Sequence, residues 1–290
     1  MTRTLLEAVG VPVNRLRVVA VHAHPDDETL FTGATLAALS DWGAEVALVT
    51  CTAGEAAGQS PERRTVESDR AIGDVRLEEL AAACTTLGVT RRLLLGDGRW
   101  RDSGRTPSRC GLPFLFSDSG SDAVEHLIAV FERHQPHLVL TYEPDGITGH
   151  PDHVRAHQLV RQALVRIRTA ARQTPIVLGA LVPRSWITMG TDLISRLENP
   201  ADARSVGSGG LVGYSGDWSV GMPAERYTGA KKAALGKYLS QAPGSTVASM
   251  LTSGARRGDT LMMCAIAEAL GEQWGHEPYV VVDDPTRQAL

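Results

Sequence analysis

The chain has 290 residues, of which 43% are hydrophobic and 21% are charged, and its formal net charge is −4. This composition is typical of a soluble globular protein, and nothing in it suggests the clustered basic face that nucleic-acid binding requires. No apolar run approaches the roughly 18–20 residues of a membrane span, and the first 14 residues lack the apolar core of a signal peptide. The four cysteines include no C-x-x-C pair, which favours free thiols in a reducing compartment. We therefore expect a cytoplasmic protein with neither a nucleic-acid nor a membrane partner.

Strand-like and helix-like patterns alternate in the N-terminal half of the chain. Apolar runs predict the strands, and three- and four-residue apolar spacings predict the helices. The predicted elements are a loosely ordered lead-in at 1–14, a strand at 16–21, a helix at 29–40, a strand at 45–50, a helix at 74–87 and a strand at 92–95. Residues 97–120 have no periodicity, and a loop of that length is usually functional or disordered.

The second half continues the alternation and then becomes less regular. The predicted elements are a strand at 137–142, a helix at 152–172 with a basic outer face (Arg155, Arg161, Arg166 and Arg168), strands at 176–182 and 185–189, helices at 225–240 and 261–270, and a strand at 279–282. This order predicts an α/β fold with a mostly parallel sheet. We expect one catalytic domain over 1–290, with a core at 14–190 that carries the site. Residues 191–290 form either a small lobe that shapes the pocket or the remainder of the same domain.

Two related motifs stand where predicted strands end. H-P-D-D-E occupies residues 24–28, and H-P-D-H occupies residues 150–153. In a parallel sheet both loops would emerge at the carboxyl ends of strands, where such folds bind ligands. His24, Asp27 and His153 can then close on one metal ion, for which Zn²⁺ is the main candidate and Fe²⁺ or Co²⁺ are alternatives. Three protein ligands leave a position open for water, which is typical of a catalytic site.

The remaining residues of the motifs suit hydrolysis of an amide. Asp26 can act as general base, and His150 can protonate a leaving amine or stabilise an oxyanion. Asp152 can hold the imidazole of His150 in the required tautomer. The alternative for the acidic residues of the first motif is that they only complement a helix dipole.

The other six histidines carry no such pattern, and we interpret them as surface residues: His22, His126, His134, His137, His157 and His276. A non-catalytic nucleotide-binding protein of similar fold is a competing hypothesis. The chain has no G-x-G-x-x-G after the first strand, where the nucleotide fingerprint belongs, and the acidic residues there are unsuited to a pyrophosphate.

The two motifs resemble those of the metal-dependent de-N-acetylases of the PIG-L/LmbE family, with A-H-P-D-D-E at 23–28 and H-P-D-H at 150–153. The resemblance covers about residues 16–170. It implies a Rossmann-like three-layer fold, zinc on His24, Asp27 and His153, and Asp26 as general base. It also implies His150 as acid or oxyanion stabiliser with Asp152 as its partner, and a small glycoside carrying N-acetylglucosamine as substrate.

Further residues are similar to the branch of this family that deacetylates N-acetylglucosaminyl-inositol in mycothiol biosynthesis. They lie at 21–24, 50–55, 76–80 and 98–104. In that branch the residues that match Arg76 and Asp102 contact sugar hydroxyls. The alternative for Arg76 is an exposed helix charge paired with Glu78 or Glu79.

One position departs from the mycothiol branch. The branch has a tyrosine two residues before the first histidine of H-P-D-H, and this chain has Thr148 there. The difference favours an antibiotic-type substrate, such as a 2'-N-acetylparomamine-like aminoglycoside intermediate. N-acetylglucosaminyl-inositol deacetylation and amidase activity on mycothiol S-conjugates are the alternatives.

Overall fold

Eight strands form one sheet in the computed structural model of the chain. The structure describes residues 3–58, 65–104, 115, 122–169, 174–197, 210–218, 220–241, 246–252 and 259–283. The strands, in chain order, are β1 (Arg3–Thr4), β2 (Arg17–His22), β3 (Glu45–Thr50), β4 (Arg91–Leu94), β5 (Leu138–Tyr142), β6 (Ile176–Ala180), β7 (Val220–Pro223) and β8 (His276–Asp283). Their spatial order is β1-β7-β8-β6-β5-β2-β3-β4. Most of the predicted 97–120 loop and the predicted helix end at 170–172 lie outside the described residues.

The order in which strands are added to the sheet reverses at β2, which has β3 on one side and β5 on the other. The chain runs outward from β2 through β3 to β4 and then returns to β5. All of these pairs are parallel, whereas β8 is antiparallel to both β6 and β7. A reversal of this kind opens a crevice beyond the carboxyl ends of the two central strands. The two sequence motifs follow β2 and β5 and therefore meet at this crevice.

Ten helices accompany the strands in the described part of the chain. They are α1 (Leu5–Val9), α2 (Asp27–Asp41), α3 (Val66–Thr86), α4 (Asp122–His134), the single turn α5 (Gly146–Gly149), α6 (Pro151–Thr169), α7 (Arg184–Leu197), α8 (Thr228–Leu235), α9 (Val247–Thr252) and α10 (Asp259–Leu270). Helix α8 packs against α2 and α3, and α4 packs against α6. Because the strand order reverses at β2, right-handed crossovers place α2 and α3 on one face of the sheet and α4 and α6 on the other. The prediction of an α/β fold with a mostly parallel sheet is confirmed.

Two local predictions are wrong. Residues 185–189 were expected to form a strand but belong to α7, in which Ile187, Gly190 and Ile194 are buried at three- and four-residue spacings. A short apolar run does not by itself distinguish a strand from one side of a helix. The expected loose lead-in contains β1 and α1 instead. Helix α1 begins at a capping box, in which Thr4 and Glu7 bond each other's backbone N–H groups.

The C-terminal part of the chain completes the sheet rather than forming a separate layer of its own. Strands β7 and β8 lie between β1 and β6, and a buried ion pair of 2.6 Å joins Lys231 of α8 to Glu277 of β8. Glu277 also accepts the N–H groups of Ala34 and Thr35 within α2. These contacts fix α8 against the helix that follows the first motif. None of the described helices combines the length and apolar character needed to cross a membrane.

Candidate metal centre

The first residues after β2 and β5 form the centre of the site. His24 follows β2, and His153 lies in the first turn of α6, which begins at Pro151. Proline suits that first helical position because its missing N–H would have no partner there. The main-chain pairing of β2 with β5 places the two motifs side by side although 126 residues separate His153 from Asp27 (153 minus 27).

Three side-chain atoms of the predicted ligands form a nearly equilateral triangle. The distances are 3.4 Å from His24 Nδ1 to Asp27 Oδ2, 3.4 Å from His153 Nε2 to Asp27 Oδ2 and 3.2 Å from His153 Nε2 to His24 Nδ1. Ligands at the corners of a tetrahedron around zinc, with bonds of about 2.0–2.1 Å, are about 3.3 Å apart. The measured triangle therefore fits one face of a tetrahedral zinc site.

A second grouping shares atoms with this triangle. His24, His150 and His153 also bring ligand atoms within 4.8 Å of one another. However, the backbone N–H of Asp152 donates to His150 Nδ1 at 3.2 Å, and His150 Nε2 is 3.9 Å from Asp102 Oδ1. The tighter triangle, with one carboxylate and two imidazoles, is the better match to a zinc centre.

The protein holds His153 in the orientation that a metal ligand needs. Its Nδ1 lies 3.0 Å from the carbonyl oxygen of Gly146, to which an Nδ1–H group can donate. That tautomer leaves the lone pair of Nε2 directed to the triangle, and a metal-bound histidine usually donates its other N–H to a carbonyl or carboxylate in this way. The imidazole also stacks on the ring of Tyr142, with the centroids 4.4 Å apart and the planes 9° from parallel.

Two donors hold the carboxylate of Asp27. The hydroxyl of Tyr142 donates to Oδ2 at 2.6 Å, and the backbone N–H of His24 donates to the same oxygen at 2.8 Å. Burial by itself raises the pKa of Asp27, but the neighbouring His153 and His24 outweigh it and hold the pKa well below its usual range. Sequence reasoning missed Tyr142, because its only signal is its place as the last residue of a strand beside the first motif.

Two carboxylates face the other nitrogen of His24. Its Nε2 lies 3.3 Å from Asp102 Oδ1 and 3.4 Å from Asp152 Oδ2. A carboxylate at this position accepts Nε2–H and leaves Nδ1 free for a metal. Asp152 was expected to hold His150, but its carboxylate is directed to His24 and also accepts the N–H of Ser103 at 2.9 Å. Its contact with His150 runs through its backbone N–H instead.

His150 is neutral in this arrangement. Burial lowers the pKa of its imidazole to about 3. Since Nδ1 accepts the N–H of Asp152 in the first turn of α6, the ring proton is on Nε2. The Nε2–H group faces the side of the crevice on which Asp102 lies. His150 can therefore donate a hydrogen bond there.

Asp26 lies beside the triangle in a strained backbone conformation, with φ of 98°. Residues other than glycine rarely adopt positive φ, and such strain is concentrated at functional sites. Its Oδ2 forms an ion pair of 3.2 Å with Arg76 Nη2. Burial raises the pKa of Asp26 to about 8, although the guanidinium of Arg76 opposes the shift. A carboxylate with a pKa in this range suits a general base.

Arg76 is buried, so the alternative of an exposed helix charge is wrong. Its guanidinium donates to the carbonyl oxygens of Gly54 and Pro25, in addition to its ion pair with Asp26. Glu79, one of its suggested partners, accepts two hydrogen bonds from Ser240 instead. The contact of Arg76 and Asp102 with sugar hydroxyls stays a prediction.

Other residues that we placed on the surface are buried. His22, His134 and His157 are each less than one-tenth exposed. His157 Nδ1 lies 2.8 Å from the carbonyl oxygen of Tyr142, which it holds at the end of β5. Arg155 was assigned to an outer face of α6, but it is buried and donates to the carbonyl oxygen of Leu115. Single-residue assignments of this kind fail because the charge of a side chain does not reveal what packs over it.

We expect Gly146→Ala to weaken metal binding by about tenfold to 100-fold, the usual effect of disturbing the support of a ligand. The added Cβ would lie 2.8 Å from Cβ of His153 and 2.9 Å from the backbone nitrogen of Val154, at a φ of +69°. The ring of His153 must then shift. Gly43→Ala is the control, since Gly43 also has positive φ but nothing lies within 4 Å of the added atom. Titration of both variants with zinc tests the prediction, which equal zinc affinities would contradict.

The fold and the site together define an α/β protein with a candidate mononuclear metal centre at the reversal point of its sheet. The family model of PIG-L, described as GlcNAc-PI de-N-acetylase, matches residues 19–164. The chain belongs to the PIG-L family, as the resemblance of its motifs predicts.

Relatives within the family are similar over most of this chain. A 1D-myo-inositol 2-acetamido-2-deoxy-alpha-D-glucopyranoside deacetylase of Corynebacterium efficiens is 40% identical over 201 residues, which are 68% of this chain and 63% of the relative. A protein of the same name from Rhodococcus erythropolis is 37% identical over 209 residues, 66% of this chain and 71% of the relative. The chain thus spans about three fifths of the first of these relatives.

A solved structure confirms the fold class. The N,N'-diacetylchitobiose deacetylase of Pyrococcus horikoshii aligns with a TM-score of 0.59 at 18% sequence identity, over 99% of this chain and 95% of that chain. At this level of identity the match concerns the fold alone. The Rossmann-like α/β architecture predicted from the motifs is confirmed.

Proposed function

We propose that the protein is a zinc-dependent hydrolase that releases acetate from the 2-acetamido group of a glucosamine unit in a small glycoside. One observation carries the proposal: the triangle of His24, Asp27 and His153, with an unliganded carboxylate, Asp26, beside it in a member of the PIG-L family. The donor set and its spacing fit zinc. His24 Nε2 and His153 Nδ1 each have an acceptor that fixes the ligand tautomer.

A zinc ion on these three residues would polarise the amide carbonyl and lower the pKa of a water molecule. Asp26 takes a proton from the attacking water as its oxygen bonds to the carbonyl carbon. His150 donates a hydrogen bond from Nε2 to the carbonyl oxygen as that oxygen becomes an anion. The proton held by Asp26 passes to the amide nitrogen as the C–N bond breaks. The products are the free amine and acetic acid, which ionises to acetate on release, and Asp26 returns to its ionised form.

The neutral state of His150 suits this role. A ring whose Nδ1 accepts a backbone N–H at a helix N-terminus keeps its proton on Nε2 and resists further protonation. It therefore acts as a hydrogen-bond donor to the oxyanion rather than as the acid that protonates the amine. Asp102 Oδ1 lies 3.9 Å from the same nitrogen.

We infer that the substrate is N-acetylglucosaminyl-inositol, which the sequence motifs alone leave as the alternative. Relatives at 37–40% identity carry the name of deacetylases of this compound. The prediction of an antibiotic-type substrate depends on Thr148. Its hydroxyl accepts the N–H of His150 at 3.2 Å and lies 3.2 Å from His153 Nδ1, and the residue is 3% exposed. Since Thr148 supports His150 and His153, the presence of threonine in place of tyrosine does not require a different substrate.

We expect the zinc-loaded protein to release acetate faster from N-acetylglucosaminyl-inositol than from 2'-N-acetylparomamine. Both compounds carry the same acetamido sugar, so a difference in kcat/KM reports on the ring to which that sugar is attached. Protein treated with a chelator and protein given zinc again serve as controls for the metal. Preference for the paromamine compound would support a role in antibiotic biosynthesis. Preference for a bulky acyl-cysteine conjugate would support amidase activity on mycothiol S-conjugates.

A further inference from the structure

The peptide unit between Pro25 and Asp26 is held at both ends by hydrogen bonds to buried side chains. Its carbonyl oxygen accepts a hydrogen bond from the guanidinium of Arg76. Its N–H donates to Glu28 Oε2 at 3.0 Å. Arg76 and Glu28 are 4% and 0% exposed. This peptide therefore lies between a buried donor, which bonds its carbonyl oxygen, and a buried acceptor, which bonds its N–H group.

The orientation of this peptide decides the conformation of Asp26. In the observed orientation Asp26 has φ of 98°, which is unfavourable for a side chain with Cβ. Rotation of the peptide by half a turn would bring φ to roughly −80°, an ordinary value. In that orientation, however, the carbonyl oxygen would face the carboxylate of Glu28 and the N–H would face the guanidinium of Arg76. The two side chains thus favour the strained form, in which both hydrogen bonds are made and the Pro25 carbonyl oxygen holds Arg76 beside the carboxylate of Asp26.

Glu28 is itself fixed by a residue from the C-terminal part of the chain. The hydroxyl of Tyr238 donates to Glu28 Oε1 at 2.6 Å, and the hydroxyl of Thr29 donates to the same oxygen at 2.5 Å. Tyr238 is 0% exposed and lies in the turn that follows α8, where its N–H bonds to the carbonyl of Leu235. The ion pair of Lys231 with Glu277 anchors α8.

We propose that Tyr238 is a positioning residue for the general base: acting through Glu28, it holds the Pro25–Asp26 peptide in the orientation in which the Pro25 carbonyl oxygen keeps Arg76 against the carboxylate of Asp26. The role of Asp26 as base rests on the proposed function, whereas the hold on the peptide does not. Tyr238 is about 210 positions from the first motif, so neither motif contains it.

The test compares Tyr238→Phe with Tyr279→Phe. Tyr279 is a matched control because it is also 0% exposed, and its hydroxyl also bonds a buried carboxylate, Glu277, and a hydroxyl of α2, that of Thr35. Thr35 is nine residues beyond Asp26, or roughly 13 Å along the helix. We expect kcat for acetate release to fall about tenfold in Tyr238→Phe, the factor that corresponds to one hydrogen bond of ordinary strength. The KM and the zinc content should not change, and Tyr279→Phe should keep its kcat.

Amide hydrogen exchange gives a readout that needs no substrate. The N–H of Asp26 should exchange faster in Tyr238→Phe than the loss of global stability explains, and it should not do so in Tyr279→Phe. If the Asp26 N–H exchanges faster while N-acetylglucosaminyl-inositol is not hydrolysed, the proposed function is wrong, but the role of Tyr238 in positioning the peptide is supported. In the background of Glu28→Ala, Tyr238→Phe should have no further effect on kcat. The proposal is overturned if Tyr238→Phe keeps wild-type kcat and exchange, or if both tyrosine variants lose kcat equally.

Discussion

Asp26→Asn is expected to reduce kcat for acetate release by about 10²–10⁴-fold, the range that general acid–base catalysis contributes. Asparagine has nearly the same shape and tolerates positive φ, so the backbone at φ of 98° should be kept. The amide cannot accept the proton of the attacking water. The three residues of the triangle are unchanged, so the zinc content should equal that of the wild-type protein prepared in the same way. Steady-state kinetics together with metal analysis of the same preparation measure both quantities.

The matched control for this variant is Asp97→Asn. Asp97 is another aspartate with positive φ, 53°, but it is exposed and lies in the short turn after β4. The same chemical change there should leave kcat at the wild-type value. Full activity in Asp26→Asn would show that another group is the base.

His153→Ala should weaken zinc binding by more than about 100-fold, because even loss of the groups that support a ligand costs up to that factor. The variant removes one corner of the triangle and leaves His24 and Asp27 alone, 3.4 Å apart. Acetate release should disappear together with the metal. Competition with a zinc chelator of known affinity measures the first effect, and the acetate assay measures the second.

His157→Asn is the control on the same helix. His157 lies one turn beyond His153 and makes a hydrogen bond through Nδ1 to the carbonyl oxygen of Tyr142. The amide of asparagine can donate in place of that nitrogen, so β5 should keep its position and zinc should bind with wild-type affinity. If His153→Ala still retained one zinc ion per chain, the ligand set would have to be sought in the neighbouring group of His24, Asp102, His150 and Asp152.

The sequence was sufficient to predict that the two motifs converge. Apolar runs before residues 24 and 150 predicted buried parallel strands, and the ends of parallel strands share one edge of the sheet. The direct pairing of β2 with β5 agrees with this expectation. The ligand triangle then follows from residues that lie within a few positions of the strand ends, where the chain has little freedom to place them elsewhere.

Contacts between distant segments were not predictable in this way. Nothing near Tyr142 in the sequence indicates that its hydroxyl bonds Asp27, and nothing near Asp152 indicates that its carboxylate is directed to His24. The substitution at Thr148 was interpreted as a change of substrate specificity. Its contacts with His150 and His153 instead give it a supporting role inside the loop.

The amino-acid sequence predicts the fold class, the place of the candidate site and the candidate ligands, because these depend on local patterns of apolar and polar residues and on the regular geometry of strands and helices. The buried groups that hold those ligands and orient the peptide of Asp26 are visible in the folded structure alone. Arg76 and Tyr238 act across segments far apart in the chain, and burial sets the pKa of Asp26 at about 8. Such effects depend on which side chains pack together and on the exclusion of water, and neither is encoded in the neighbouring residues of a motif.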